Sequence, residues 1–327
     1  MNIKLQILKA FREHPEEFIS GERLSELCNC SRTAVWKHIE ELRQEGYQFE
    51  AVRRSGYRLL SAPDRIAPEE ITVGLETDVI GQTVYTYDTV VSTQLLAHEA
   101  AGQGAGEGTL VIAEQQTGGK GRLGRPWHSP KHAGIWMSLI VKPDISLPRA
   151  PQITLLTAVA MARTIKMEAG LEADIKWPND ILIHGKKVCG ILTELNAESD
   201  RINYLIIGIG VNVNTLVEEY PPELRTIATS LRIEAGRKVR RASLIQTFCT
   251  EFEQLYREYL RLGFEPIRAR WEAYSVTLGK QLTVRTLNET IEGRAVGLDA
   301  DGILIVEDAK GVQHKVYSAD IEQGANQ

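Results

Sequence analysis

Between Gly118 and Arg125, four glycines and three cations share eight positions, and prolines follow at 126 and 130. No other segment restricts the fold as strongly. A glycine backbone can close on an anion and take positive φ, while Lys120, Arg122 and Arg125 supply charge for phosphate. Gly119, Gly121 and Gly124 satisfy a GxGxxG spacing. A dinucleotide site, however, needs a helix directly after the glycines, and Pro126 and Pro130 prevent a regular one. No Gly-Lys pair in the loop is followed by Ser or Thr, which excludes a Walker A loop. The chain therefore offers an irregular phosphate loop on a scaffold other than a doubly wound parallel sheet. Such a loop is expected to move when empty and to order around a phosphoanhydride, shielding a reactive intermediate from water.

Flanking segments supply the scaffold. Residues 83–88, 109–114 and 134–141 read as strands, with a helix opening at Ser92 and Thr93 and running to Ala101. An apolar-striped helix covers 151–169. Four β segments follow at 174–177, 180–183, 188–195 and 204–213, with His184-Gly185-Lys186-Lys187 as hairpin chemistry between two of them. Helices are expected at about 243–262 and 266–274. This order predicts a mixed or antiparallel sheet with helices on one side. Within it, Lys176-Trp177-Pro178-Asn179-Asp180 precedes Lys187-Val188-Cys189-Gly190, which places Lys176 and Lys187 on adjacent strands. Asn179 and Asp180 offer polar contacts or a metal ligand. Gly208 and Gly210 in one strand signal close approach by another group, and Asn212 with Asn214 implies one inward amide.

The first sixty residues carry a different pattern. Ile3, Ile7, Leu8 and Phe11 recur at helical spacing, Ser20 can cap a second helix to Leu27, and CNC makes a turn. Ser31 can cap a third helix with Ala34, Val35, Ile39 and Leu42 on one face and Gly46 as its stop. QFEAV and YRLL then form a hairpin tipped by Arg53-Arg54-Ser55-Gly56. A helix-turn-helix over 21–40 followed by a basic hairpin is a winged helix. Ser31, Arg32, Thr33 and Lys37 face a DNA groove, with Arg53 and Arg54 on phosphates. The net charge of −5 argues against a generally basic nucleic-acid binder, and the first 62 residues hold ten Lys or Arg against nine Glu. DNA affinity must come from local placement of charge. Pro63 and Pro68 mark a linker.

With 327 residues and ordinary composition, two or three domains are expected. No apolar run of about 18 residues is present, so no transmembrane helix and no membrane partner are expected. The N-terminus reads as an amphipathic helix, not a signal peptide. Cys28, Cys30, Cys189 and Cys249 read as free thiols of a reducing cytoplasm, since the CxC pair has no second ligand pair for zinc. From about residue 275, QLTVRTL, IEGRAVGL, GILIVED and HKVYS read as short strands, with Asp301-Gly302 as a tight turn.

Taken together, KGRLGRPW, KWPND with KKVCGILTEL, and GIGVNVN resemble the motifs of the biotin-protein ligases. SGERLSELCNCSRTAVWKHIEELRQEGY resembles the helix-turn-helix of the bifunctional members, the biotin operon repressors. The resemblance covers nearly the whole chain, and three motifs in order are highly specific. It implies an α+β architecture. A winged helix-turn-helix occupies 1–63, a class II synthetase-like catalytic domain with a mixed β-sheet 64–274, and a small SH3-like β-barrel 275–327.

Carried over by motif, Ser92, Thr93 and Gln94 resemble the triplet that holds the biotin ureido ring, and Gln116 lines the same pocket. Lys120, Gly121 and Arg122 match the loop over biotin and the adenylate phosphate, with Lys187 at the carboxylate and Gly190 beside it. Arg122, Arg125, Trp127, Lys187 and Asn212 belong to the ATP or adenylate site. The family loop usually reads Gly-Arg-Gly-Arg. Lys120 replaces the first arginine, keeping charge but losing the planar fork. The implied reaction forms biotinyl-AMP from biotin and ATP, then transfers biotin to a lysine of biotin carboxyl carrier protein. Lys120, Arg122 and Lys187 offset charge at phosphorus, and Asp180 is the candidate proton acceptor. Magnesium is expected to be held mainly by phosphate oxygens and water rather than by the protein alone, with Asp180 a candidate near it. The resemblance further implies operator DNA as a partner, the adenylate as corepressor, homodimerisation when adenylate is bound, and a cytoplasmic location. Two rivals remain at this level: a lipoate or octanoate ligase on the same scaffold, and a non-catalytic biotin sensor.

Overall fold

The computed structural model describes residues 3–198, 201–285 and 290–317, and the backbone of 320–323. Of the segments expected as structured, Met1 and Asn2 of the first helix, Thr286 and Leu287 of QLTVRTL and Ser318 of HKVYS lie outside the described residues. The chain divides into two compact units, Met1–Glu76 and Thr77–Gln327.

The first unit begins with helices α1 (Ile3–Glu13), α2 (Gly21–Leu27) and α3 (Arg32–Gln44). The Ser20 hydroxyl accepts from Arg23 N, and the Ser31 hydroxyl accepts from Ala34 N, so both serines cap as the sequence implies. Asn29 takes φ 44° in the turn between α2 and α3. Strands β1 (Gln48–Val52) and β2 (Gly56–Ser61) pair antiparallel, and Ile19 adds a bridge to Tyr57. Ile7, Leu8, Phe11, Leu24, Val35, Ile39, Leu42 and Phe49 form the core. A short α4 (Pro68–Thr72) follows, and its buried Glu70 takes Arg12 Nη2 at 2.6 Å and the Tyr47 hydroxyl. That ion pair explains why residues 64–76 belong with this unit.

The second unit opens with β3 (Val84–Val90), α5 (Thr93–Gly102), β4 (Leu110–Gln116), β5 (Gly134–Val141) and α6 (Ala150–Ala169). It continues with β6 (Asp174–Lys176), β7 (Asp180–Ile183), β8 (Lys186–Glu198), β9 (Arg201–Asn212), α7 (Leu231–Ala235), α8 (Arg241–Leu262) and α9 (Glu265–Tyr274). Seven strands form one sheet in the order β3-β4-β5-β9-β8-β7-β6, parallel only between β3 and β4. Lys176 and Lys187 are therefore not on adjacent strands, because β7 lies between β6 and β8.

Helices also cover both faces of the sheet rather than one. On α5, Ala97 and Ala101 pack against Ile206 and Gln94 lies over Gly208. Thr154 of α6 donates to Thr193, which pairs across the strands with Ile207. Residues 206 and 207 point to opposite faces of β9, which puts α5 and α6 on opposite sides. The periodicity of each helix revealed its apolar stripe but not which face of the sheet it covers.

Deeper in this unit, Arg241 is 0% exposed. Its Nη1 lies 2.6 Å from Glu114 Oε2 and donates to Gly134 O at 3.2 Å. Burial of both charges is tolerable only because they are paired and hydrogen-bonded.

The C-terminal strands β10 (Gln281–Arg285), β11 (Thr290–Leu298), β12 (Leu304–Asp308), β13 (Gln313–Val316) and β14 (Asp320–Gln323) form a five-stranded antiparallel sheet, in the order β13-β12-β11-β10-β14. The turn at Asp301-Gly302 is wider than a two-residue hairpin, because the Asp299 carboxylate accepts from Asp301 N and Ile303 N and organises residues 299–303. Trp177 N donates to Thr277 Oγ1 at 2.9 Å, joining the start of this region to the end of β6.

Candidate active site and nucleic-acid interface

A cavity of about 730 Å³ opens on the α5 side of the large sheet. Its floor is backbone. Gly190 of β8 and Gly210 of β9 are direct cross-strand partners, and the indole of Trp127 lies on both. A Cβ built on Gly210 would come within 2.6 Å of Trp127 Cε2, and one on Gly190 within 2.9 Å of its Cζ3. One step along β9, a Cβ at Gly208 would meet Gln94 Cδ at 2.9 Å. The two strand glycines singled out from sequence thus admit an amide at one end and an indole at the other.

The amide end is a continuous hydrogen-bond chain. Ser92 caps α5 by accepting from Gln94 N. Gln116 Oε1 accepts from Thr93 N at 2.8 Å and Thr93 Oγ1 at 3.1 Å, and its Nε2 donates to Ser129 Oγ at 3.2 Å. Thr93 Oγ1 and Ser138 Oγ are 2.9 Å apart, Ser138 Oγ donates to Gln94 Oε1 at 2.8 Å, and Gln94 Nε2 donates to Glu194 Oε2 at 3.0 Å. Each side-chain amide is thereby fixed in orientation, as recognition of a small planar polar group requires. Ser129, Ser138 and Glu194 were not identified from the sequence. The signal available was Ser138, a lone hydroxyl inside the apolar strand GIWMSLIV.

The cationic end is built by the glycine loop and by β7 and β8. The loop folds back on itself as a narrow antiparallel ribbon. Lys120 bridges Pro126, Gly121 N donates to Arg125 O at 2.8 Å, and Trp127 N donates to Gly119 O at 2.9 Å. Leu123 takes φ 57° at its tip. Arg122 Nη1 reaches Asn179 Oδ1 at 3.5 Å, while Asn179 Nδ2 donates to Ile191 O at 2.6 Å. Lys187 Nζ lies 2.6 Å from Asp180 Oδ1 and 5.1 Å from the Trp127 ring centroid. Asp180, the candidate base, is therefore held in an ion pair. Lys120, Gly121, Arg122, Arg125 and Lys176 also line the cavity.

The far wall comes from residues 224–228, which sequence reading left without a role. Lys187 N donates to Ile227 O, and Thr229 N donates to Lys187 O. Asn212 lines the cavity and its Nδ2 donates to Thr229 O at 3.1 Å. Asn214 is buried as well and bonds Val239 N and O, so both amides point inward rather than one. Every residue singled out for the biotin, adenylate and catalytic roles lies on this single cavity.

Cys189 sits in the floor strand, and burial pushes its thiol well above the usual range, so it is no nucleophile. Trp127 Nε1 and His128 Nε2 are buried without a hydrogen-bond partner. Among the described residues no three His, Cys, Asp or Glu side chains converge on a metal position. The cations Lys120, Arg122, Arg125 and Lys187 on the cavity suit a ligand that carries phosphate oxygens.

In the first unit, Thr33 and Lys37 of α3 and Arg53 and Arg54 at the hairpin tip are exposed. Arg32 is exposed but pairs with Glu22 at 2.8 Å, and the Ser31 hydroxyl is engaged by its cap. The acidic far end of α3 is neutralised locally. Glu40 pairs with Arg43, Glu41 with Lys4 and His38, and Glu45 with Lys4.

Comparison with known proteins finds relatives of both units. Residues 88–212 match the biotin/lipoate A/B protein ligase family, residues 4–58 an HTH domain, and residues 277–324 the biotin protein ligase C-terminal domain. The bifunctional ligase/repressor BirA of Bacillus subtilis is 52% identical over 322 residues, covering 98% of this chain and 99% of that protein. The protein of the same description from Escherichia coli is 29% identical and covers 89% and 88%. Among solved structures, the biotin protein ligase from Aquifex aeolicus in complex with biotin and ATP aligns with a TM-score of 0.65 and 26% identity. It covers 74% of this chain and all of that one.

Proposed function

The chain belongs to the bifunctional ligase/repressor group of the biotin-protein ligases, and from that premise we propose how its cavity works. The protein forms biotinyl-AMP from biotin and ATP, transfers biotin to a lysine of a biotin carboxyl carrier protein, and represses transcription through its winged helix. We assign the ureido ring to the Ser92–Gln94 turn and Gln116, whose amides are already oriented. The carboxylate then points along the floor toward Lys187. The observation that carries this reading is the cavity's polarity, with neutral amides at one end and Lys120, Arg122 and Lys187 at the other.

In the first half-reaction the biotin carboxylate attacks the α-phosphorus. Lys187, steadied by Asp180 and by the Trp127 face, and Arg122, steadied by Asn179, meet the charge that develops there. Donors of this kind are each worth about 10²–10³ in rate. Magnesium, when bound, would supply positive charge against the pyrophosphate and would be held mostly by substrate oxygens and water, with Asp180 near it. Arg125 and Asn212 complete the nucleotide end. The floor glycines and the 224–228 wall exclude water from the mixed anhydride. In the second half-reaction the neutral acceptor amine attacks the carbonyl of the mixed anhydride and expels AMP, and Asp180 takes the proton that the nitrogen then sheds, once Lys187 has been drawn to phosphate.

We further propose the domain division 1–63, 64–274 and 275–327, in which residues 64–76 are a leading segment of the second domain that packs on the first compact unit, together with dimerisation driven by the adenylate and a cytoplasmic location. Among the described residues no helix is long and apolar enough to cross a membrane. Incubating the protein with biotin, ATP, magnesium and a biotin carboxyl carrier domain should add one biotinyl mass to the carrier. Labelling with lipoate in place of biotin, or none with either, would reject the reading. Binding to DNA upstream of biotin-synthesis genes that requires biotin plus ATP tests the repressor half.

A further inference from the structure

We propose that Trp36 reads a thymine in the operator, its indole face covering the 5-methyl group in the major groove. This rests on the winged-helix reading above and extends it to a residue with no assigned role. Trp36 is 55% exposed, although α3 has a buried stripe at Val35, Ile39 and Leu42 that could have taken an aromatic ring. It stands four residues after Arg32, three after Thr33 and next to Lys37. Those separations put a guanidinium, a hydroxyl, an indole and an ammonium on one outer face of the helix.

Charge complementarity identifies the occupant. Thr33, Lys37 and the tip arginines Arg53 and Arg54 are exposed. Among the described residues Arg32 pairs with exposed Glu22, a pair weak enough to exchange for phosphate. The acids that would repel DNA, Glu40, Glu41 and Glu45, are each paired with a cation. A positive rim with a neutral aromatic centre matches a groove whose walls are phosphate and whose floor presents base edges. On that floor the thymine 5-methyl is the one apolar group, and the indole has a broad apolar face with a single donor. A protein partner would leave the rim charges without function, and another copy of α3 would oppose like charges.

The test uses the full chain with biotin and ATP. Duplexes are first selected from a randomised library, and the enriched sequence is then made with thymine or with uracil, which lacks only the methyl, at each position in turn. We expect at least one half-site position where uracil weakens binding about four- to tenfold, the effect of losing one buried methyl. Trp36→Ala should bind the thymine duplex as weakly as the parent binds the uracil one and should not distinguish the two. Trp36→Phe should keep most of the discrimination, showing that the helix remains folded. Arg53→Ala should weaken both duplexes equally. Undiminished thymine preference in Trp36→Ala, or no position sensitive to uracil in the parent, overturns the inference while leaving DNA binding intact. Failure to enrich any sequence overturns both.

Discussion

Replacing Gly210 by alanine should damage adenylate formation more than biotin binding. The new Cβ would stand 2.6 Å from Trp127 Cε2, against a comfortable carbon contact of about 3.5–4.0 Å. The ring must therefore withdraw by about 1 Å. It cannot tilt toward β8, because Gly190 on the facing strand is filled by the same ring and by the Lys187 stem. The indole must instead lift into the cavity, disturbing the 5.1 Å contact with Lys187 Nζ. Overpacking of this size costs about 1–3 kcal/mol. If that strain falls on the reacting geometry, about 1.4 kcal/mol per decade gives a loss of roughly 10- to 100-fold. Pyrophosphate release at saturating biotin measures it, with biotin affinity followed separately by calorimetry. Gly208→Ala is the counterpart, because its Cβ would meet Gln94 at 2.9 Å, so biotin affinity should fall first there. The reasoning fails if Gly210→Ala weakens biotin binding and leaves pyrophosphate release untouched, or if the two variants are indistinguishable.

Other changes test the same framework. Ser138→Ala strips Thr93 and Gln94 of a shared buried partner. An orphaned polar group costs about 1–3 kcal/mol, so biotin affinity should drop about 10-fold, and an unchanged value would remove the hydroxyl chain from the site. Arg241→Met leaves the Glu114 carboxylate buried without its main cation and should cost about 3–5 kcal/mol in denaturant unfolding. Adding Glu114→Gln should restore much of that, and no recovery would mean the loss is packing alone. In the C-terminal sheet, hydrogen bonds from His314 and then from Val312 N and Lys310 N lower the Asp308 carboxyl to about 2. A folded value below the unfolded one of about 3.9 contributes stability above that pH, lost as pH falls toward 2. His314→Ala should move the NMR midpoint upward toward the ordinary value, and an unmoved midpoint would exclude the histidine as the cause.

Local chemistry was legible in the sequence wherever a residue acts through its own neighbours. Ser20 and Ser31 cap the helices that follow them, GIWMSLIV is β5 residue for residue, and the prolines after the glycine loop keep it from becoming a helix. Strand order was not legible. Lys176 and Lys187 look adjacent in sequence, but β7 intervenes, because the chain returns from β6 through the Trp177–Asn179 turn and pairs β7 before β8 can join. The sidedness of the helices failed for a related reason. A stripe on α5 and a stripe on α6 each specify a buried face, and neither says which side of a two-sided sheet receives it.

The site itself divides along the same line. Gly208 and Gly210 could be read as room left for something, but what fills it comes from 83 or more positions away, Trp127 for one glycine and Gln94 for the other. Ser138, Glu194 and the 224–228 wall act only through long-range partners, so no local pattern marks them. The motifs carry the cations that line the cavity, whereas the groups that orient its amides are scattered. For that reason a substitution such as Ser138→Ala, which touches no recognised motif, is the sharper probe of whether this cavity is preorganised. Loss of a motif cation would reduce activity in any phosphate-binding loop. Loss of a single buried hydroxyl reduces it only if the amides depend on one another.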